Sequence, residues 1–289
     1  MAGSVLEAAR AKVNLTLHIK GTRPDGYHEL ESLVAFADVC DELAFSPASE
    51  DSLSLEGPFA RLVDGENLVL KAKRAVDSWL GVTTSGHFRL KKNIPVAAGL
   101  GGGSSDAAAA IRALLKVYDS AGNAKTFIKQ SAAIGADVPV CLQNSAAWMR
   151  GLGERVTPVL GLMPLPALLV NPRIKLSTAA VFKTLNAKAL QREEAGVPPS
   201  FPGWRNPREA AVWLNEGRND LEAPAIALEP AIKTVLDALR RLDGCLLSRL
   251  SGSGPTCFGI FLSQDAAAEA ASEMRRSYPN WWAQDTTLS

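Results

Sequence analysis

The sequence predicts an α+β fold in two lobes. Short alternating or apolar stretches come in groups with helices between them, not as a strict strand–helix repeat. An alanine-rich helical run follows a loop carrying four glycines in five positions. The composition, 47% hydrophobic and 21% charged over 289 residues, is that of an ordinary folded chain with a full core. The lobes are expected to join near residues 155–165, giving domains 1–158 and 159–289.

The elements are justified in order. In residues 11–20, AKVNLTLHIK, Val13, Leu15, Leu17 and Ile19 alternate with Lys12, Asn14, Thr16 and His18, which predicts a strand with one polar face. RPDG at 23–26 is a turn, because proline presets φ and glycine accepts a positive one. Residues 27–36 return as a strand and close a hairpin. Short strands come next at 42–45, 52–55 and 87–90, with a helix at 66–80 capped near Asn67. Residues 106–118, DAAAAIRALLKVY, form a helix with Ser104 and Ser105 as cap candidates. A helix at 127–134, strands at 148–156 and 167–170, a helix at 232–242, a strand at 259–262 and a helix at 266–276 complete the pattern. Residues 187–217, with Arg192, Glu193, Glu194, Trp204 and Trp213, read as an inserted polar loop or helix.

Basic residues number 31 and acidic ones 30, a net charge of +1, which argues against a dedicated nucleic-acid binder. The first residues show no secretory leader, and the longest uncharged apolar run, 156–170, is too short for a membrane span and broken by Pro158, Pro164 and Pro166. The four cysteines are scattered, without zinc spacing, which suits a reducing cytoplasm. The three histidines are equally dispersed. Nothing fixes the oligomeric state beyond a monomer or weak homodimer.

The stretch PVAAGLGGGSS at 95–105 is the most informative. Glycines let backbone N–H groups approach a ligand, and a helix start concentrates free N–H groups and positive dipole. A phosphate site is the functional reading; a glycine turn packed on the alanine helix is the plain one. The loop is neither a P-loop, having no lysine at the helix start, nor a dinucleotide fingerprint, having Ser104 where the third glycine belongs. Asp137 lies inside the apolar run IGADVPVCL at 134–142. Read alone it is a helix cap or turn residue, or a carboxylate with a partner.

The loop at 95–109, AKVN at 11–14 and LSGSGP at 250–255 resemble the GHMP kinases. With RPDGYHEL at 23–30 and GADVP at 135–139, the matches run in order over nearly the whole chain. They are most similar to the branch acting on a cytidine-diphosphate alcohol of the non-mevalonate isoprenoid route. The resemblance implies an N-terminal lobe like the second domain of ribosomal protein S5, a C-terminal α/β lobe, and a cleft between them as active site. It implies ATP and Mg²⁺, and direct transfer of the γ-phosphoryl to a hydroxyl. Asp137 would be the base and Lys12 its cationic partner. Pro95, Gly99, Leu100, Gly101, Gly102, Gly103, Ser104 and Ser105 would hold the phosphates, with Ser105 also reaching the metal. Asn67, Leu68 and Lys92 would surround adenine. Tyr27 would stack on cytosine, His28 would read its edge, and Phe182 would add a second stacking face. Asn14, Thr178 and Gly252 would line the acceptor. The alternatives are a GHMP kinase acting on mevalonate, homoserine or a sugar, and a non-catalytic nucleotide-binding protein.

Overall fold

The computed structural model describes residues 4–118, 124–189 and 198–289. The strands are β1 Val5–Asn14, β2 His18–Thr22, β3 His28–Pro47, β4 Ser52–Glu56, β5 Gly86–Lys91, β6 Ala147–Gly151, β7 Arg155–Pro158, β8 Leu165–Asn171, β9 Cys245–Leu250, β10 Cys257–Phe261 and β11 Trp282–Leu288. The helices are α1 Leu68–Leu80, α2 Gly102–Val117, α3 Ala124–Ser131, α4 Val138–Gln143, α5 Thr178–Leu185, α6 Pro207–Glu216, α7 Glu222–Leu228, α8 Ala231–Arg241 and α9 Gln264–Ser277. The mixed architecture is the α+β class the sequence predicts. The chain packs into two compact units, one of Met1–Lys12, Val39–Val96 and Gly101–Asn144, the other of Val13–Asp38, Ala97–Leu100 and Ser145–Ser289.

In the first unit the second half of β3 pairs antiparallel with β5, from Glu42↔Lys91 to Pro47↔Gly86, and β4 joins β5 in parallel. Helix α2 packs against α1 and α4. It is buried along nearly its whole length because its inner residues are alanines, which let neighbouring elements approach closely. It begins at Gly102, a full turn before the expected start, with Gly101 as N-cap at φ +64°. Ser104 and Ser105 therefore lie in the first turn and do not cap it. Asn67 caps α1 as expected, its side chain accepting the Val69 N–H at 2.9 Å.

In the second unit β2 and the start of β3 form the expected hairpin, from His18↔Glu31 to Thr22↔His28, around Gly26 at φ +84°. The strand expected over 11–20 is broken between Asn14 and His18. Its polar face is also not solvated: Lys12 is 4% and Asn14 3% exposed. Alternation shows which residues share a face, not whether the polar face finds partners inside the protein. The expected strands at 27–36 and 42–45 are one strand of 20 residues, β3. Residues 148–156 form a hairpin of β6 and β7 instead of one strand. A second antiparallel array runs β11–β8–β10–β9, and α8 and α9 pack on it. Its core joins Leu168, Val170 and Phe261 to Val181, Val235, Leu239 and Met274.

Part of the stretch 187–217, including Arg192, Glu193 and Glu194, lies outside the described residues. Its later part is an ordered helix: Asn206 caps α6 through the Glu209 N–H, and Pro207 occupies the first turn. Trp204 and Trp213 stand 5.8 Å apart, Phe201 lies 4.7 Å from Trp204, and Trp213 meets Trp148 at 6.4 Å. The inserted tryptophans thus form a satellite core on β6. Trp204 is 5% exposed. Trp204→Ala is expected to remove about 3–5 kcal/mol of stability in chemical denaturation. A loss below about 1 kcal/mol would show that this cluster does not support the fold.

Candidate active site

Lys12 lies near the end of β1, and Asp137 precedes α4. The Lys12 ammonium is 3.0 Å from the Asp137 carboxylate. The lysine side chain is 6% exposed, whereas the aspartate side chain is 32% exposed. Asp137 occupies the N-cap position of α4, yet its side chain caps nothing, and its φ and ψ of −87° and −9° are helical. A capping aspartate adopts the extended region and accepts an N–H of the first turn. Asp137 instead turns to a buried cation and remains open on one side.

Gly101 stands beside this pair. A Cβ there would lie 3.2 Å from Lys12 Cε and 3.6 Å from Asp137 Oδ2, so a side chain would crowd the ion pair. The other glycines act differently. A Cβ at Gly99, at φ +75°, would meet the Ser251 carbonyl oxygen at 2.5 Å and the Gly254 backbone at 2.8–2.9 Å. A Cβ at Gly103 would meet only Leu68, at 3.6 Å. Gly102 and Gly103 open α2, where unsatisfied N–H groups and helix dipole favour an anion. Ser105 is buried, and its hydroxyl donates to the Arg10 carbonyl oxygen at 2.7 Å. That placement does not suit the magnesium ligand expected of it. Among the described residues no group of three or more His, Cys, Asp or Glu side chains could hold a metal ion.

Lys92 is also placed differently from expectation. Its ammonium is buried and held by Asp41 and by Asp106, the latter at 2.6 Å. Its ammonium is therefore committed to these two aspartates. Burial is the largest influence on Asp106 and raises it to about 8; Lys92 pulls it down and Asp41 pushes it up. No sequence pattern marks Asp41 as a partner of residue 92; the pairing comes from β3 lying next to β5.

The second unit gathers the residues expected at the acceptor. The Asn14 N–H donates to Ser251 Oγ at 3.2 Å, and its amide donates to Ser32 Oγ at 2.7 Å. Ser251 donates to the Gly99 carbonyl at 3.0 Å, and the Thr256 N–H to the Ala98 carbonyl at 3.1 Å. The two glycine loops therefore meet, an arrangement the sequence did not show. Gly252, at φ +56°, leaves a Cβ position 3.3 Å from Asn14 Oδ1. The Thr178 and Ser253 hydroxyls are 2.8 Å apart. His28 packs on Phe182 with ring centroids 4.9 Å apart, and burial lowers its pKa, which favours the neutral ring. A neutral imidazole has one donor and one acceptor. Tyr27 is 62% exposed, its N–H held by Asp25.

Comparison with known proteins decides the family. Residues 67–145 match the GHMP kinases N terminal domain and residues 188–280 the GHMP kinases C terminal domain. The chain belongs to the GHMP kinases. It is 46% identical to the 4-diphosphocytidyl-2-C-methyl-D-erythritol kinase of Parvibaculum lavamentivorans, over 98% of this chain and 97% of that one. It is 48% identical to an enzyme of that name from Methylorubrum extorquens, over 97% and 98%. A crystal structure of 4-(cytidine 5'-diphospho)-2C-methyl-D-erythritol kinase superposes with a TM-score of 0.77 at 34% identity, covering 99% of each chain. This GHMP kinase is thus an ATP-dependent enzyme acting on a small molecule. No described helix is long and apolar enough to cross a membrane.

The raised Asp106 gives a pH dependence of stability. Its carboxyl ionises near 4 when unfolded and near 8 when folded, so folding takes up a proton between those values. Wild-type stability should fall as pH rises through that window, and Asp106→Asn should flatten the slope. Parallel stability–pH curves for the two proteins would remove Asp106 as the cause.

Proposed function

We propose that this kinase transfers the γ-phosphoryl of ATP to the 2-hydroxyl of 4-diphosphocytidyl-2-C-methyl-D-erythritol, a step of the non-mevalonate route to isoprenoid precursors. The observation that carries the mechanism is the Lys12–Asp137 pair: a half-open carboxylate not used as a cap, held 3.0 Å from a buried ammonium. Asp137 accepts the hydroxyl proton as the oxygen attacks, and Lys12 offsets the charge that develops there. The backbone of Gly99 to Ser105, with Pro95 ahead of it, cradles the phosphates. Asn67, whose side-chain oxygen caps α1, would lie near adenine. Magnesium would be held mainly by the nucleotide's own phosphates and would supply charge neutralisation there.

On the acceptor side, neutral His28 reads the cytosine edge and Tyr27 stacks on its face, with Phe182 beside His28. Asn14, Thr178 and Gly252 contact the polyol. Full-length identities of 46% and 48% to enzymes named for this substrate favour it over mevalonate, homoserine or a sugar. The aromatic and imidazole pair supports the same choice, since a small acid offers neither ring nor base edge. We place the enzyme in the cytoplasm.

ATP consumption should be seen with the cytidyl substrate and be negligible with mevalonate; the reverse would transfer the assignment to the other substrate. Asp137→Asn should lower kcat by about 10²–10⁴ while ATP affinity is kept. An unchanged turnover would remove Asp137 from the mechanism.

A further inference from the structure

The first unit contains two buried lysines that each join two carboxylates, and only one of them touches the glycine loop. Lys73, within α1, bridges Asp77 at 2.7 Å and Asp51 at 2.8 Å. Lys92, just after β5, bridges Asp41 and Asp106. Asp41 is fully buried, and its other oxygen accepts the N–H groups of Asn93 at 2.6 Å and Ile94 at 2.8 Å. One carboxylate thus fixes the chain as it leaves β5, and the lysine it holds reaches across to α2. A Cβ at Gly102 would lie 3.6 Å from Lys92 Nζ and 3.8 Å from Asp41 Oδ2. The cluster therefore closes the loop at both ends, at residues 92–94 and at residue 106, and lies directly against the first residue of α2.

Four glycines in five positions carry high conformational entropy, so amides in such a loop converge on a ligand only if the loop's ends are fixed from outside. We propose that Asp41 and Lys92 are positioning residues for the nucleotide, setting the geometry of the loop amides through the Asp41–Lys92–Asp106 clamp. This rests on reading the loop as the phosphate site. Lys92 does not act as a cation toward phosphate, because its ammonium is buried and already held by Asp41 and Asp106. The sign of one substitution separates these roles. Removing the Asp41 charge would tighten ATP binding if Lys92 served as a free cation, and should weaken it if Lys92 serves as a clamp.

The test compares Lys92→Met, Asp41→Asn and Lys73→Met in the full-length enzyme, at a temperature where circular dichroism shows each folded. Lys73→Met removes another buried lysine held by two aspartates, one of them partly exposed, and controls for lost stability. The expectation is that Lys92→Met and Asp41→Asn raise KM for ATP about tenfold or more, with kcat and KM for the alcohol substrate within about twofold. Lys73→Met should lower thermal stability and leave KM for ATP unchanged. Equal effects of Lys92→Met and Lys73→Met on KM for ATP, or tighter ATP binding in Asp41→Asn, would overturn the proposal. Should Lys92→Met prove unfolded, Asp41→Asn, which keeps an acceptor for the Asn93 and Ile94 N–H groups, decides alone. Wild-type protein without ATP turnover would instead refute the kinase reading itself, a separate outcome.

Discussion

Main chain lying against main chain is the constraint on which the glycine loop depends. At Gly99 there is no room for a Cβ, because the carbonyl of Ser251 and the backbone of Gly254 already occupy its place. At Gly101 the space is taken by Lys12. These glycines are therefore not interchangeable sources of flexibility. Gly99 lets two loops pack, Gly101 makes room for an ion pair, and Gly102 lies over a buried charge cluster. The part left free for a ligand is the opening turn of α2, where helix geometry leaves N–H groups without partners.

The buried lysines show how charge is allocated around that loop. Lys73 and Lys92 each face two aspartates, at least one of them from another part of the chain, so each cluster ties chain segments together. Lys12 faces Asp137, and that carboxylate is partly open to solvent while the lysine is not. A structural pair gains from burying both partners with complete hydrogen bonding. A catalytic pair needs one partner reachable by the reacting group and the other shielded, so that its field acts in a medium of low dielectric. The Lys12–Asp137 pair has this exposure pattern and stands beside Gly101; Lys73–Asp51 shares the pattern but starts from within α1.

Much of this is legible in the sequence, and the remainder has a physical pattern. The glycine loop, the alanine helix, the 23–26 turn and the β2–β3 hairpin each depend on local chemistry, and each can be read. Elements set by tertiary partners cannot. β9 and β11 escape a sequence reading because neither alternates cleanly: β9 is an edge strand and β11 is mostly polar. α4 escapes it because it has six residues and opens beside a proline. α6 lies in the polar stretch 187–217, whose composition leaves loop and helix open, and α7 has only seven residues with Pro224 in its first turn. At the site, Lys12, Asp137 and the loop are readable, whereas Asp41 is not, since its role depends on a strand pairing 51 residues away. Lys92 reads as a nucleotide contact although its ammonium is held inside the protein. Its sequence neighbours give no sign of the two aspartates that hold it.

In the proposed reading, recognition of the acceptor would divide between two neighbouring rings that the fold treats differently. His28 is held against Phe182, and burial favours its neutral form, so its ring is oriented before any ligand arrives. Tyr27 has its backbone anchored by Asp25, and its ring is mostly exposed. On that reading specificity for a nucleobase should reside mainly in His28, because a hydrogen-bonding edge that is already placed rejects a ligand lacking the complementary groups, whereas stacking on an exposed ring accepts any aromatic face. Affinity contributed by Tyr27 must first offset the entropy of ordering its side chain. The division of work between the two neighbours thus depends on which ring the fold holds still.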